Sequence, residues 1–114
     1  MEAALLVGIG GSIGALLRYG VGELLGSTTF PYATLAVNAI GSFVLGLVIF
    51  GDLNSELFFL VGVGACGAFT TYSSFSVQTV RLWETGYRRY AVANAIGNFV
   101  LSLGGLLLAS VVVG

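Results

Sequence analysis

The sequence contains no histidine and no lysine, a single cysteine and a single proline, and only 8% of its 114 residues are charged. Without histidine, nucleophilic catalysis by a Ser-His or Cys-His pair is excluded, and the lone Cys66 supplies no ligand cluster for the usual zinc sites. A net charge of −1 argues against nucleic acid as a partner, because its phosphates require clustered basic residues. Soluble domains carry about 25% charged residues, so we expect a non-enzymatic protein surrounded largely by lipid.

Long apolar segments fill most of the chain, which is 57% hydrophobic. A helix that crosses a bilayer needs about 20 consecutive apolar residues. The windows that satisfy this requirement are about 3–25, 33–50, 57–80 and 91–113. We therefore predict an all-α membrane protein in which residues 1–114 form a single transmembrane domain of four helices. The first segment follows Glu2 rather than a basic stretch, which indicates a retained helix instead of a cleaved signal.

Glycines are concentrated in the first of these helices. Gly10 and Gly14 are four residues apart, as are Gly22 and Gly26, and small residues at this spacing let helix backbones approach closely. Glycine also occurs in membrane helices without a packing role. Because further small residues cluster around Gly10 and Gly14, we expect this part of the helix to pack tightly against a neighbour.

Polar side chains recur along the apolar helices. In the fourth helix, Asn94, Asn98 and Ser102 are spaced four residues apart and therefore share one face. In the second helix, Asn38 and Ser42 are also one turn apart. Interhelical hydrogen bonding, at about 0.6 kcal/mol per bond, is the simpler explanation for any one of them. Since such residues occur on several helices, we predict a polar track through the protein.

Small and hydroxylated residues interrupt the third segment, which reads Gly-Ala-Cys-Gly-Ala-Phe-Thr-Thr-Tyr-Ser-Ser-Phe-Ser at 64–76. Glycine weakens a helix, and Ser and Thr side chains satisfy the backbone where a helix breaks. A break at membrane depth frees carbonyl oxygens that suit a hard cation such as Na+. Tyr72 and Phe75 share a face, and the positive edges of their rings suit a small anion. For either ring alone, ordinary packing is the alternative.

The arginines are distributed unevenly along the chain. Arg18 lies well inside a predicted helix, where it either faces an anion-attracting vestibule or extends to the membrane surface. The other three arginines all lie in the 81–90 connection between the third and fourth helices. On the opposite side of the membrane, the charged residues are all acidic: Glu2, Asp52 and Glu56. Basic residues mark the cytoplasmic side of membrane proteins. The sequence therefore predicts a cytoplasmic 81–90 loop and two termini outside.

Three motifs follow one another along the chain: Gly10-Gly11-x-x-Gly14-Ala15-x-x-Arg18-Tyr19, Pro31-x-Ala33-Thr34-Leu35-x-Val37-Asn38-x-x-Gly41-Ser42-Phe43, and Gly67-Ala68-Phe69-Thr70-Thr71-Tyr72-Ser73-Ser74-Phe75-Ser76. This ordered set, with the four-helix length, resembles the CrcB/Fluc family of fluoride channels over essentially the whole chain. The resemblance implies a passive, fluoride-selective channel that exports fluoride from the cytoplasm. It further implies a broken third helix and an antiparallel, dual-topology dimer in the plasma membrane of a prokaryote.

The resemblance also assigns roles to individual positions. The residues that it places along the anion path are Arg18, Asn38, Tyr72, Ser73, Ser74 and Phe75. A structural Na+ that is not transported would be held at the dimer axis by the backbone carbonyls of Gly67 and Thr70. The chain departs from the usual family pattern at Tyr72, where Phe is common, and at Ala68, where the second glycine of a pair is common.

Partner and function each keep an alternative at this point. The partner is either a second copy or an oppositely oriented homologue, and the uneven arginines favour the homologue because a homodimer requires insertion in both directions. A small proton-coupled exporter of cationic drugs also has four helices, but it needs a membrane-embedded carboxylate. The one acidic residue within a predicted span is Glu23, near a helix end, which favours the channel. A structural subunit without transport activity is the third possibility.

Overall fold

The computed structural model describes residues 2–114, which form helices joined by short turns. The helices that cross as single units are α1 at Ala3–Leu25, α2 at Tyr32–Phe50 and α5 at Arg88–Val113. The third span, Ser55–Glu84, consists of two pieces, α3 at 55–69 and α4 at Tyr72–Glu84. All four spans are long and apolar enough to cross a membrane, which confirms the predicted all-α membrane class.

Several helices extend beyond the predicted apolar windows. The third span begins at Ser55 rather than 57, because the Asn54 side chain caps it by accepting the Leu57 amide at 2.9 Å. It continues to Glu84 rather than 80, and α5 begins at Arg88 rather than 91. These extra turns carry arginine and aromatic residues, which are well tolerated at the membrane–water interface. The connection predicted at 81–90 therefore shrinks to a turn at 85–87.

The first piece of the third span, α3, is wound mostly as a π-helix. Residues Phe58–Cys66 have this wider winding, between single α-helical turns at Ser55–Leu57 and Gly67–Phe69. π-Helical winding is rare, and its usual form, a single-turn bulge within an α-helix, is frequent at functional sites. Here the π-helix leads directly into the interruption of the span.

α1 packs against α3 by direct backbone contact. A Cβ added to Gly10 would overlap the Leu60 carbonyl oxygen, and one added to Gly14 would overlap that of Ala65. This confirms the close approach predicted from the spacing of Gly10 and Gly14. An added Cβ on Gly22 or Gly26 meets nothing within 4 Å in the described chain, so this second pair takes no part in the contact.

The two pieces of the third span have different packing partners. α3 packs mainly against α1, whereas α4 packs against α5, to which it is joined by a tight turn with Gly86 at φ 94°. α2 lies between these two groups and packs along α5 and α3. The interruption of the third span therefore lies beside α2, where the two groups of helices meet.

Candidate functional site

The third span is interrupted near its middle by two extended residues. α3 ends at Phe69 and α4 begins at Tyr72. Between them, Thr70 has φ −81° and ψ 160°, and Thr71 has φ −148° and ψ 114°. Both residues have extended backbone conformations rather than helical ones. The predicted break in the third helix is therefore present, at Thr70 and Thr71.

The break changes the partners of the surrounding backbone amides. In a continuous helix, the Thr71 amide would bind the Gly67 carbonyl. Instead, it donates to Oδ1 of Asn38 at 2.8 Å. The Ser74 amide, which would bind the Thr70 carbonyl, donates to Oγ1 of Thr71 at 3.1 Å. The carbonyls of Gly67 and Thr70 are thereby released from helical pairing.

Asn38 of α2 holds the break with both ends of its side-chain amide. Its Oδ1 accepts the Thr71 N–H, and its Nδ2 donates to the Thr71 carbonyl at 3.2 Å and to Oδ1 of Asn98 at 2.9 Å. Both hydrogens of the amide are therefore in use. Thr71 is buried, and an unpaired backbone group at membrane depth costs several kcal/mol. We call the pair of hydrogen bonds between the Asn38 amide and the Thr71 backbone the clamp. The clamp compensates for the helical hydrogen bonds that Thr71 lacks.

A chain of hydrogen bonds continues from Asn38 into α5 and α4. Nδ2 of Asn98 donates to the backbone carbonyl of Asn94 at 2.8 Å and to its Oδ1 at 2.9 Å. Nδ2 of Asn94 donates to Oγ1 of Thr79 at 2.8 Å, and that hydroxyl donates to the Phe75 carbonyl at 2.7 Å. Of the residues predicted to form a polar track, Asn38, Asn94 and Asn98 thus meet through hydrogen bonds. Ser42 and Ser102 line the groove described next.

An open groove of about 750 Å³ borders the break. Tyr72 and Phe75 line it with ring centroids 6.1 Å apart and ring planes at 45°. The amides of Asn38 and Asn98 line the same groove. Tyr72 is 81% exposed, so its ring projects from the surface of the chain. Two aromatic rings and two side-chain amides thus border one cavity.

The predicted site residues divide into two groups. Those that line the groove are Asn38, Gly67, Thr70, Tyr72 and Phe75. Arg18, Ser73 and Ser74 lie outside that lining. Ser74 contributes through its backbone at the start of α4, while Arg18 and Ser73 are exposed. The site of a single chain is therefore built around the break and not around Arg18.

Thr71 and Thr79 have roles that sequence reasoning did not assign to them. The sequence predicts a role for the hydroxyl of Thr71 alone, whereas both its backbone N–H and its carbonyl are hydrogen-bonded to the Asn38 side chain. Thr79 was not considered, although a signal for it exists. Thr79 and Asn94 lie at similar distances on either side of the 85–87 turn, and an antiparallel helix pair places such residues close to each other.

A four-helix membrane protein with a span broken at mid-depth and polar groups around the break has the architecture of an ion or small-solute transport protein. The family model described as "CrcB-like protein, Camphor Resistance (CrcB)" matches residues 5–112. The chain therefore belongs to the CrcB family, which confirms the family indicated by the sequence motifs.

Individual relatives agree with this assignment. "Fluoride-specific ion channel FluC 2" of Haloarcula marismortui is 54% identical over 109 residues, which cover 96% of this chain and 92% of that protein. A "Fluoride-specific ion channel FluC" of Thermus thermophilus is 43% identical over 110 residues, covering 90% and 88%. "Fluoride-specific ion channel FluC 1" of Halobacterium salinarum is 43% identical over 97 residues, covering 85% and 82%.

Proposed function

We propose that this chain is a subunit of a passive fluoride channel in the plasma membrane, through which fluoride leaves the cytoplasm. The observation that carries the proposal is the break at Thr70 and Thr71, beside which Asn38, Tyr72 and Phe75 share one groove. The names of the relatives described above point to the same ion. A proton-coupled drug exporter is not favoured, because the residues that line the groove include no carboxylate in the described part of the chain.

Features of this groove favour a small anion over a cation. The break starts the 13-residue helix α4 at Tyr72, so the first backbone N–H groups of that helix and its positive dipole end lie at mid-depth. The ring edges of Tyr72 and Phe75 carry partial positive charge. The Nδ2 group of Asn38 lies in the same lining and becomes a further donor when an anion displaces its 3.2 Å bond to the Thr71 carbonyl. Together these groups replace part of the water that a strongly hydrated ion loses on entry.

Cell growth distinguishes this function from the alternatives. In bacteria that lack their own fluoride exporter, expression of the chain with any partner that it requires should restore growth in fluoride. It should give no resistance to a cationic dye such as ethidium, which a proton-coupled drug exporter would remove. If the protein reaches the membrane and fluoride still stops growth, the channel proposal is wrong. A structural subunit predicts that same failure.

The proposal includes a structural Na+ bound by backbone oxygen. The carbonyls of Gly67 and Thr70 are freed by the break, and Gly67 is exposed beside the groove, so its oxygen is available to a ligand outside the chain. Carbonyl oxygens suit a hard cation. Two chains would supply four such oxygens, and a cation among them would offset their mutual repulsion and hold the chains together. The ion has no part in moving fluoride.

Removal of Na+ is expected to weaken the assembly. We predict that protein purified with N-methyl-D-glucamine in place of Na+ unfolds at a lower temperature and loses dimer, and that added NaCl reverses both effects. Stabilisation by a bound ion follows its concentration, at about 2.7 kcal/mol for a hundredfold excess over Kd. Size-exclusion chromatography and a thermal melt measure it. Equal melting temperatures in the Na+ buffer and in the N-methyl-D-glucamine buffer, both brought to the same ionic strength with KCl, would contradict the Na+ site.

The partner proposed for the groove is a second, inverted CrcB-family chain. The freed carbonyls and the Tyr72 hydroxyl lie within a membrane span, where lipid cannot satisfy polar groups, so protein or enclosed water must cover them. A second chain in the opposite orientation would complete the same surface with its own break. Either a copy of this chain or an oppositely oriented homologue fits this requirement, and charge favours the homologue.

The preference for a homologue as partner rests on the arginines at one end of the molecule. The Phe30 ring lies 5.8 Å from Tyr90, which places the first and third connections at the same end. Arg88 lies over the Trp83 ring at 4.9 Å, an interfacial arrangement of cation and aromatic. Three of the four arginines are at this end, so it is the cytoplasmic end. A chain with so uneven a distribution inserts in one direction and needs a partner of opposite bias.

Labelling of introduced cysteines tests this orientation. In a Cys66→Ala background expressed without a partner, we predict that an impermeant maleimide added outside intact cells labels Leu53→Cys but not Glu84→Cys. Both positions are exposed, at opposite ends of the third span. Lysed cells should show labelling at both positions, as the control. Labelling of both from outside would mean that the chain inserts both ways, and the partner would then be a second copy.

A further inference from the structure

The direction of the hydrogen-bond chain that ends at Asn38 is set by backbone carbonyls. A carbonyl only accepts, so the Thr79 hydroxyl must donate to Phe75 and accept from the Asn94 amide nitrogen. The Asn94 backbone carbonyl likewise accepts only, so the nitrogen side of the Asn98 amide must face it. These two facts turn Oδ1 of Asn98 toward Asn38, where it accepts Nδ2 at 2.9 Å.

The bonds of the Asn38 nitrogen differ in length and in partner. The bond to the Thr71 carbonyl is 3.2 Å long, and the bond to Asn98 is 2.9 Å long. An anion that approaches Asn38 from the groove competes for the longer bond first. Asn98 is 6% exposed and Asn94 is fully buried, so little water competes for the shorter one. The bond to Asn98 is therefore the one that persists while an ion passes.

We propose that Asn98, itself oriented by Asn94 and Thr79, is a positioning residue that keeps the nitrogen side of the Asn38 amide turned toward the groove. The inference rests on the proposed channel function. Without the Asn98 acceptor, and once an ion displaces the bond from Nδ2 of Asn38 to the Thr71 carbonyl, only the Thr71 N–H at 2.8 Å from Oδ1 still distinguishes the two ends of the Asn38 amide. Because its oxygen and nitrogen are nearly equal in size, the amide can then rotate by 180° at the cost of that single bond. That rotation would present an oxygen instead of a donor to the anion.

Two substitutions at one position test the inference. Asn98→Leu removes the acceptor, and fluoride efflux from vesicles should fall roughly tenfold, as expected when a buried hydrogen bond of this kind is lost. Asn98→Asp keeps the shape and the acceptor. At neutral pH its negative charge should suppress efflux. Near pH 5 a large share of the buried carboxyl should be neutral, with one donor and one acceptor, and efflux should recover several-fold. The other titratable side chains of the groove lining are Cys66 and Tyr72.

The controls separate positioning from folding and from the channel proposal itself. Ser110→Ala removes a hydroxyl bond to the Leu107 carbonyl on the same helix, away from the groove, and should behave as the parent at both pH values. Leakage from protein-free vesicles at each pH is subtracted. Absence of fluoride efflux in the parent protein would reject the channel proposal, not the role of Asn98.

The outcomes for Asn98 are decisive in both directions. Low efflux of Asn98→Leu at both pH values, with acid-dependent recovery of Asn98→Asp alone, supports the positioning role. Parental efflux of Asn98→Leu overturns it. If Asn98→Leu fails to form dimers, the pH dependence of fluoride efflux through Asn98→Asp tests the inference alone. Efflux of Asn98→Asp that does not change with pH, whether high or low, means that the hydrogen-bond direction at Asn98 does not matter and overturns the inference.

Discussion

Replacement of Asn38 by leucine is expected to abolish fluoride efflux and to destabilise the protein. The substitution leaves both the N–H and the carbonyl of Thr71 without the partners they have now, in a buried position. Each unsatisfied buried group costs about 1–3 kcal/mol, so the loss of stability should be on the order of 3 kcal/mol. Efflux should fall roughly a hundredfold or more, because the break loses its shape and the groove loses a donor. A fluoride electrode and a thermal melt measure the two effects.

A second variant separates the two roles of Asn38. Asn38→Asp is nearly isosteric and still accepts the Thr71 N–H, but it places a carboxylate oxygen against the Thr71 carbonyl and the Asn98 Oδ1. We expect a folded dimer that does not conduct, since a fixed negative charge in the groove repels fluoride. Ser12→Ala, which removes an exposed bond to the Gly8 carbonyl on α1, is the matched loss of a polar group and should conduct as the parent does. Undiminished efflux of Asn38→Leu would show that the path does not pass the clamp.

Gly14→Val should prevent the chain from folding into a stable assembly. The backbone carbonyl of Ala65 occupies the place of any side chain at Gly14, so α1 and α3 must separate for a side chain to fit. Overpacking in a well-packed core costs about 1–3 kcal/mol, and more where the obstacle is backbone. We expect little or no dimer by size-exclusion chromatography and a strongly reduced amount of protein in the membrane.

The control for this variant lies on the same helix. Gly8→Val adds the same side chain where a Cβ meets nothing within 4 Å, and Gly8 is exposed. It should give parental amounts of dimer and a melting temperature within a few degrees of the parent's. If Gly14→Val and Gly8→Val behave alike, the backbone contact between α1 and α3 is not what holds these helices together.

The sequence predicts the helices and the existence of the break more completely than their contacts. Hydropathy locates each span, because a bilayer requires a minimum apolar length. It detects only the part of a helix that lies in the hydrocarbon core and therefore misses the interfacial helical turn at Arg81–Glu84. The spacing of Gly10 and Gly14 indicates close packing without naming the partner. That α3 is the partner depends on the three-dimensional arrangement of the spans.

The clamp shows why the site could be predicted only in part. Glycines and hydroxyls at 64–76 indicate that a break occurs, but the particular residues that become extended depend on where Asn38 reaches, and it lies 33 positions away. Similarly, Asn98 was placed on a polar face by its spacing, whereas its bond to Asn38 joins residues 60 positions apart. Local patterns set local preferences, and these long-range bonds select among them.

Fluoride efflux from vesicles that contain the purified protein, with any partner chain that it requires, tests the central claim most directly. We predict rapid, passive release of fluoride in a Na+ buffer, with chloride retained under the same gradient, and no such release when the protein carries Asn38→Leu. Release of both halides at similar rates, or no fluoride release above that of protein-free vesicles, would contradict a selective anion path built around the broken third span.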